Sequence, residues 1–199
     1  MIDEKLAKSI LEAALLVANR PLTLDHLQGL FGEQEQLSRK TIRTLLTIMT
    51  EECNERGIEL VEVASGYRFQ VKPDLTPWIK RLTHKTAPRC SRAMLETLVL
   101  IAYRQPITRS EIEQIRGVSV SSAIIQNLID YQWIRVLAYR DTPGKPALYG
   151  TTRAFLDHFN LKNLDELPKL TELRTMQDLP ENLFLVEEQA IHQVLDEQE

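Results

Sequence analysis

Four histidines and two cysteines are the residues of this chain best suited to ligate a metal or to serve as base and nucleophile, and their spacing supports neither role. His26, His84, His158 and His192 fall at no ligand interval with one another or with Cys53 and Cys90, whereas a zinc site draws its thiolates and imidazoles from close pairs. Gly144-Lys145, within Pro143-Gly144-Lys145-Pro146, lacks the upstream glycine of a phosphate loop, and a proline stands where that loop needs Ser or Thr. No Gly-x-Ser-x-Gly elbow occurs. The paired carboxylates Glu51-Glu52 and Asp165-Glu166 are expected on helix surfaces. The sequence points away from an enzyme, with no catalytic residue, no metal, no cofactor and no small-molecule substrate expected.

Binding remains, and the elements that would position it are written twice. Leu15-Leu16-Val17-Ala18-Asn19-Arg20-Pro21-Leu22-Thr23 returns 85 positions later as Leu100-Ile101-Ala102-Tyr103-Arg104-Gln105-Pro106-Ile107-Thr108. A repeat of this size means two small domains of one design. In the first copy, Asp3 is read as the cap of a helix burying Leu6, Ile10, Ala13, Ala14 and Val17. Thr23 caps a short helix, and Ser38 caps a third with Ile42, Leu45, Leu46, Met49 and Cys53 on one stripe, closed by Gly57. Residues 58–63 and 67–71 flank Ala64-Ser65-Gly66 as a hairpin. In the second copy, a helix from Ala93 to Tyr103 turns Met94, Leu95, Leu98, Ile101 and Ala102 inward, and Thr108-Arg109-Ser110-Glu111 reads as a capping box. Ser119 is read as the start of a third helix with Ala123 or Ile124, Leu128 and Ile129 inside, before strands at 133–139 and 147–152.

The order helix-helix-helix-hairpin is a winged helix, so the fold class is mainly α with small β-hairpin wings (α+β), as two tandem winged-helix domains. The boundaries read are an N-terminal domain at 1–72, a basic connector at 73–91, a C-terminal domain at 92–170 and an acidic tail at 171–199. Within the tail, Leu183, Ala190, Ile191 and Val194 share a helical face.

Winged helices often place the third helix in the DNA major groove, with Arg, Lys, Asn or Gln near its start. The first copy offers Arg39, Lys40 and Arg43 there; the second offers Ser121, Ser122 and Gln126, without a cation. Phosphate contacts supply most nonspecific affinity, so the second domain reads as a protein-binding module and the first keeps a DNA option. Net charge is −4 over 199 residues but uneven: residues 72–92 total +5 and 171–199 total −7. The basic cluster Lys80, Arg81, Lys85, Arg89 and Arg92 is a candidate for contact with DNA or with the acidic tail. No apolar run of about 18 residues suggests a membrane span, and no signal peptide is read at the N-terminus. The cysteines are read as reduced thiols of a cytoplasmic protein.

One stretch carries a specific resemblance. Leu95-Glu96-Thr97-Leu98, the run Ile101 to Val118, and the block Asp141-Thr142-Pro143-Gly144-Lys145-Pro146-Ala147-Leu148-Tyr149-Gly150-Thr151-Thr152 resemble the bacterial segregation and condensation protein B family. Phe155-Leu156 and Leu161 to Pro168 extend the likeness over most of 94–170. Residues 4–71 match more loosely, residues past 171 are not covered, and Asn160 stands where the family pattern has Gly. The resemblance implies a non-enzymatic, nucleoid-associated subunit of the SMC–kleisin complex, serving chromosome condensation and segregation in cell division. It implies a homodimer formed largely through the N-terminal domain, which binds the kleisin (of segregation and condensation protein A type) and through it SMC. DNA contact would be weak or indirect.

With that partner in view, Tyr103, Arg104, Arg116 and Tyr149 are candidate kleisin contacts. Ile10, Leu11, Leu15, Leu45 and Ile48 are candidate dimer contacts. The alternative is a DNA-binding tandem winged-helix transcriptional regulator.

Overall fold

The computed structural model describes residues 2–32, 35, 37–82 and 90–168, in two compact units. The tail from 169, and Lys85 and Arg89 of the connector, lie outside the described residues. The first unit takes the chain to residue 84 and adds residues 160–163; the second takes 85–159 and the chain from 164.

The first unit opens with α1 (Glu4–Val17), whose buried row is Ala7, Leu11 and Leu15. This corrects the row expected from periodicity: Leu6 is 54% and Val17 81% exposed, and Ala13 is exposed. The helix is apolar on most sides, so spacing alone does not choose its face. The charged residues do, since Lys8 pairs with Glu52 at 2.6 Å and Glu12 with Arg56 at 3.0 Å, both near the C-terminal end of the third helix. Asp3 sits at the N-cap without a side-chain bond.

Next, α2 (Leu24–Gln28) is capped by Thr23, whose hydroxyl accepts from the His26 N–H. Ser38 caps α3 (Arg39–Glu52), which buries the expected stripe of Ile42, Leu45, Leu46 and Met49, with Cys53 buried just beyond. Helix α3 ends in a 3₁₀ turn at Cys53–Glu55, and Gly57, expected as a left-handed cap, has no positive φ. It leaves room instead for Leu75, since a Cβ there would lie 3.1 Å from Leu75 Cδ1. Strands β1 (Ile58–Val63) and β2 (Gly66–Val71) pair antiparallel from Ile58↔Val71 to Val63↔Gly66. Leu22 bridges to Tyr67 with both backbone bonds at 2.9 Å. A short α4 (Thr76–Ile79) follows.

In the second unit, Ser91 caps α5 (Arg92–Arg104), whose buried residues include the five expected. The Gln105–Pro106 bond is cis and leads into β3 (Ile107–Thr108). Helix α6 (Arg109–Arg116) carries the expected capping box of Thr108 and Glu111 and ends at a left-handed Gly117. Helix α7 (Ser122–Asp130) begins two residues later than expected, because Ser121 rather than Ser119 accepts the capping bond. Its buried residues are Ile125 and Leu128, while Ala123 is exposed. Strands β4 (Ile134–Tyr139) and β5 (Ala147–Thr151) form the wing in the order β3-β5-β4, with a register shift between Val136 and Ala138. Thr152 caps α8 (Arg153–His158). Both units are winged helices. In each, the residue after the repeated proline pairs with a tyrosine of the second wing strand: Leu22 with Tyr67, and Ile107 with Tyr149. Cys53 and Cys90 are both buried free thiols.

Candidate functional site

In the first unit a groove of about 650 Å³ runs between α3 and the wing, with Leu46 and Leu60 as apolar lining and Arg43, Thr47, Thr50, Glu51, Glu62, Tyr67 and Lys162 around them. Strand alternation makes this wall: Leu60 and Glu62 share one side of β1. Glu62 is the polar centre. It accepts from Tyr67 Oη at 2.8 Å and pairs with Lys162 Nζ at 2.8 Å. The Lys162 bond holds the Glu62 carboxyl below its ordinary range against partial burial, with help from the Tyr67 hydroxyl and the charge of Arg43. Burial and the bond to Glu62 push the Tyr67 phenol up to about 12. Charged Glu62 and neutral Tyr67 therefore persist across neutral pH. The groove is open and mostly polar, with Leu46 and Leu60 nearly buried beneath it.

Lys162 was not visible as part of this site. It arrives on residues 160–163, where Ala64 N–H donates to Leu161 O at 2.9 Å and Arg68 Nη2 donates to Asn160 Oδ1 at 2.9 Å. Asn160 holds φ +56°, a left-handed conformation that Asn tolerates better than most side chains, which accounts for its standing where Gly was expected.

Two of the three cations at the start of α3 have acidic neighbours. Arg39 is bonded to Asp25, Arg43 lies in the field of Glu62, and the adjoining wing carries Glu59 and Glu62. Lys40 is exposed.

The second unit spends its polar side chains internally. Glu111 receives the Thr108 N–H at 2.9 Å and both Nη groups of Arg140 at 2.9 and 3.2 Å. The backbone bond first, then Arg140 and the Thr108 hydroxyl, bring its carboxyl down to about 2. Glu113 accepts from Val120 N–H at 2.9 Å and Arg109 Nε at 3.1 Å, and Arg109 also donates to Ser122 Oγ. Gln126 donates to Asp130. The three polar residues read at the start of α7 are thus a cap, an acceptor for Arg109 and a partner of Asp130.

The four candidate kleisin contacts have different surroundings. Arg116 is 9% exposed and joins α6 to α5 through Glu96 at 2.8 Å and Thr97 at 3.3 Å. Tyr103 donates to the Pro168 carbonyl. Tyr149 is half-buried in β5, and Arg104 is exposed. Of the candidate dimer contacts, Leu11, Leu15 and Leu45 are corrected to core residues, at 0, 3 and 1% exposure. Ile10 and Ile48 are half-buried. Lys80, Arg81 and Arg92 are exposed, with Arg92 bonded to Glu96. Among the described residues no group of three or more His, Cys, Asp or Glu side chains could hold a metal, and no helix is long and apolar enough to cross a membrane.

These observations define a tandem winged-helix protein with an open groove beside the wing of its first unit. Residues 9–170 match the model of one family, described as the segregation and condensation complex subunit ScpB, and the chain belongs to that family. It is 55% identical over 172 residues to a segregation and condensation protein B homolog of Coxiella burnetii, covering 86% of this chain and 82% of that one. It is 42% identical over 167 residues to segregation and condensation protein B of Desulforamulus reducens, covering 83% and 90%. A solved structure, described as a dimer of the ScpB N-terminal domain complexed with ScpA peptide, is 28% identical over 39% of this chain and 95% of that chain, with a TM-score of 0.35.

Proposed function

We propose that this chain is a non-enzymatic, homodimeric adaptor that binds the kleisin of an SMC complex and so serves chromosome condensation and segregation in the cytoplasm, at the nucleoid. The observation that carries the reading is the family match across both winged-helix units, from residue 9 to 170. The electrostatics support it: the arginines of α6 are paired with Glu113 and Glu96, and α7 carries no Lys or Arg, so these two helices offer a phosphate backbone little charge. The first-unit groove, polar and bordered by Glu62, Tyr67 and Lys162, offers the kleisin a peptide site. The exposed Arg104 beside Tyr103 offers a second contact.

For the dimer, the exposed row Leu6, Ala13, Leu16 and Val17 of α1, flanked by half-buried Ile10, replaces the three residues that turned out to be core. Native mass spectrometry of the chain alone and with its cognate kleisin tests the assignment. A homodimer that takes up kleisin is expected. A chain that remains monomeric and ignores the kleisin, yet binds defined DNA sequences alone, would return the regulator reading.

A further inference from the structure

We propose that β4 is a strand-docking edge and that its occupant is this chain's own segment 181–188. Strand β4 ends the order β3-β5-β4, so one side of its backbone has no strand partner among the described residues. Five of its six residues are exposed, including Val136 at 39%, Leu137 at 44% and Tyr139 at 67%. Proteins usually protect such an edge with a lysine, a proline, an inward charge or a bulge; from Val136 to Tyr139 there is no charge and no proline, and the register shift between Val136 and Ala138 is the one irregularity. Arginines bracket the apolar row instead. Arg140 is held by Glu111, and Arg135 has no ion-pair partner among the described residues.

The sequence contains the complement of this row. Glu181-Asn182-Leu183-Phe184-Leu185-Val186-Glu187-Glu188 sets four apolar residues between carboxylates, with no Pro or Gly and with the aromatic and β-branched types that strands favour. Laid antiparallel along β4, the apolar run meets Val136 to Tyr139, Glu187 and Glu188 come to Arg135, and Glu181 comes to Arg140. Cross-strand pairs of opposite charge stabilise such an addition. The same rule disfavours a second copy of β4 as occupant, because antiparallel self-pairing sets Arg135 against Arg140 of the other copy. Reach is ample: the dozen or so residues between Pro168 and Glu181 extend roughly 40 Å, against a diameter of about 30 Å for a unit of this size. The docking is independent of kleisin binding.

Amide hydrogen exchange read residue by residue in the full chain tests it. The β4 amides that point away from β5 are expected to exchange at least about tenfold faster in a Phe184→Asp/Leu185→Asp chain than in the unaltered one, with the β1–β2 hairpin unchanged. Arg135→Glu should give part of the same loss, and adding Glu187→Arg to it should restore protection. Equal β4 exchange with and without the Phe184 and Leu185 substitutions would overturn the proposal. So would protection that rises with protein concentration, which would give the edge to a second copy.

Discussion

The two units close the same seam with the same backbone pairing but reinforce it differently. In each, the residue after the repeated proline must lie against the second wing strand. The first unit does this with bare backbone: Gly66, at φ +132°, lets the hairpin close on Leu22, and a Cβ there would sit 2.2 Å from the Leu22 carbonyl oxygen. The second unit pairs backbone there too, Ile107 with Tyr149 and Thr108 with Leu148, and adds side chains. Gln105 Oε1 accepts the Thr151 N–H at 2.7 Å, and its amide donates to Ala102 O and Thr151 Oγ1. Gly150 clears the space, where a Cβ would meet Leu137 Cδ1 at 2.5 Å and Gln105 Oε1 at 2.8 Å. A repeat therefore preserves a path of the chain and its backbone pairing, while the side chains packed around the seam differ.

The largest expected effect separates these seams directly. Gly66→Ala should cost about 3 kcal/mol or more in denaturant unfolding, because both the obstructing backbone and the positive φ resist it. Gly150→Ala should cost about 1–2 kcal/mol, since Leu137 and Gln105 can move aside. Equal losses would remove the distinction. Arg116→Ala comes next, at about 1–2 kcal/mol, because it removes a mostly buried guanidinium and its bonds to Glu96 and Thr97, which keep only Arg92 and the Ala93 carbonyl. By contrast, Arg109→Ala, whose pair is more exposed, should cost about 0.5 kcal/mol or less in the same assay. The smallest effect is in acid. The folded Glu111 carboxyl lies near 2 against an ordinary 4.5, so its contribution is present above pH 4.5 and fades as pH falls toward 2. Its side chain is 35% exposed, and solvent screening keeps the effect modest. The stability gap between the unaltered chain and Glu111→Gln should narrow across that window; a constant gap would place the role of Glu111 elsewhere.

Much of this architecture was legible in the residues. The helix order, the wing strands, the Thr23, Ser38 and Thr108 caps and the stripes of α3 and α5 follow from local patterns, because caps and amphipathic rows are written within a few positions. The face of α1 was not legible, since its deciding partners, Glu52 and Arg56, stand 44 residues away. The start of α7 turned on which of two nearby serines receives a backbone N–H. The groove was the least legible part: Glu62 and Tyr67 could be read as neighbours across a hairpin, but nothing local ties Lys162 to them. Likewise Glu111 could be read as half of a capping box, while its second partner, Arg140, lies 29 residues on.

The chain's two thiols, Cys53 and Cys90, are both in the interior. Burial pushes the Cys90 thiol up, so its reactive thiolate is scarce at neutral pH. The wild-type protein is in effect already a cysteine-light background. A single cysteine introduced at Ile115 or Val118, both well exposed, offers a maleimide dye or spin label one reactive address. Distances between labelled copies can then be measured without first removing a native residue.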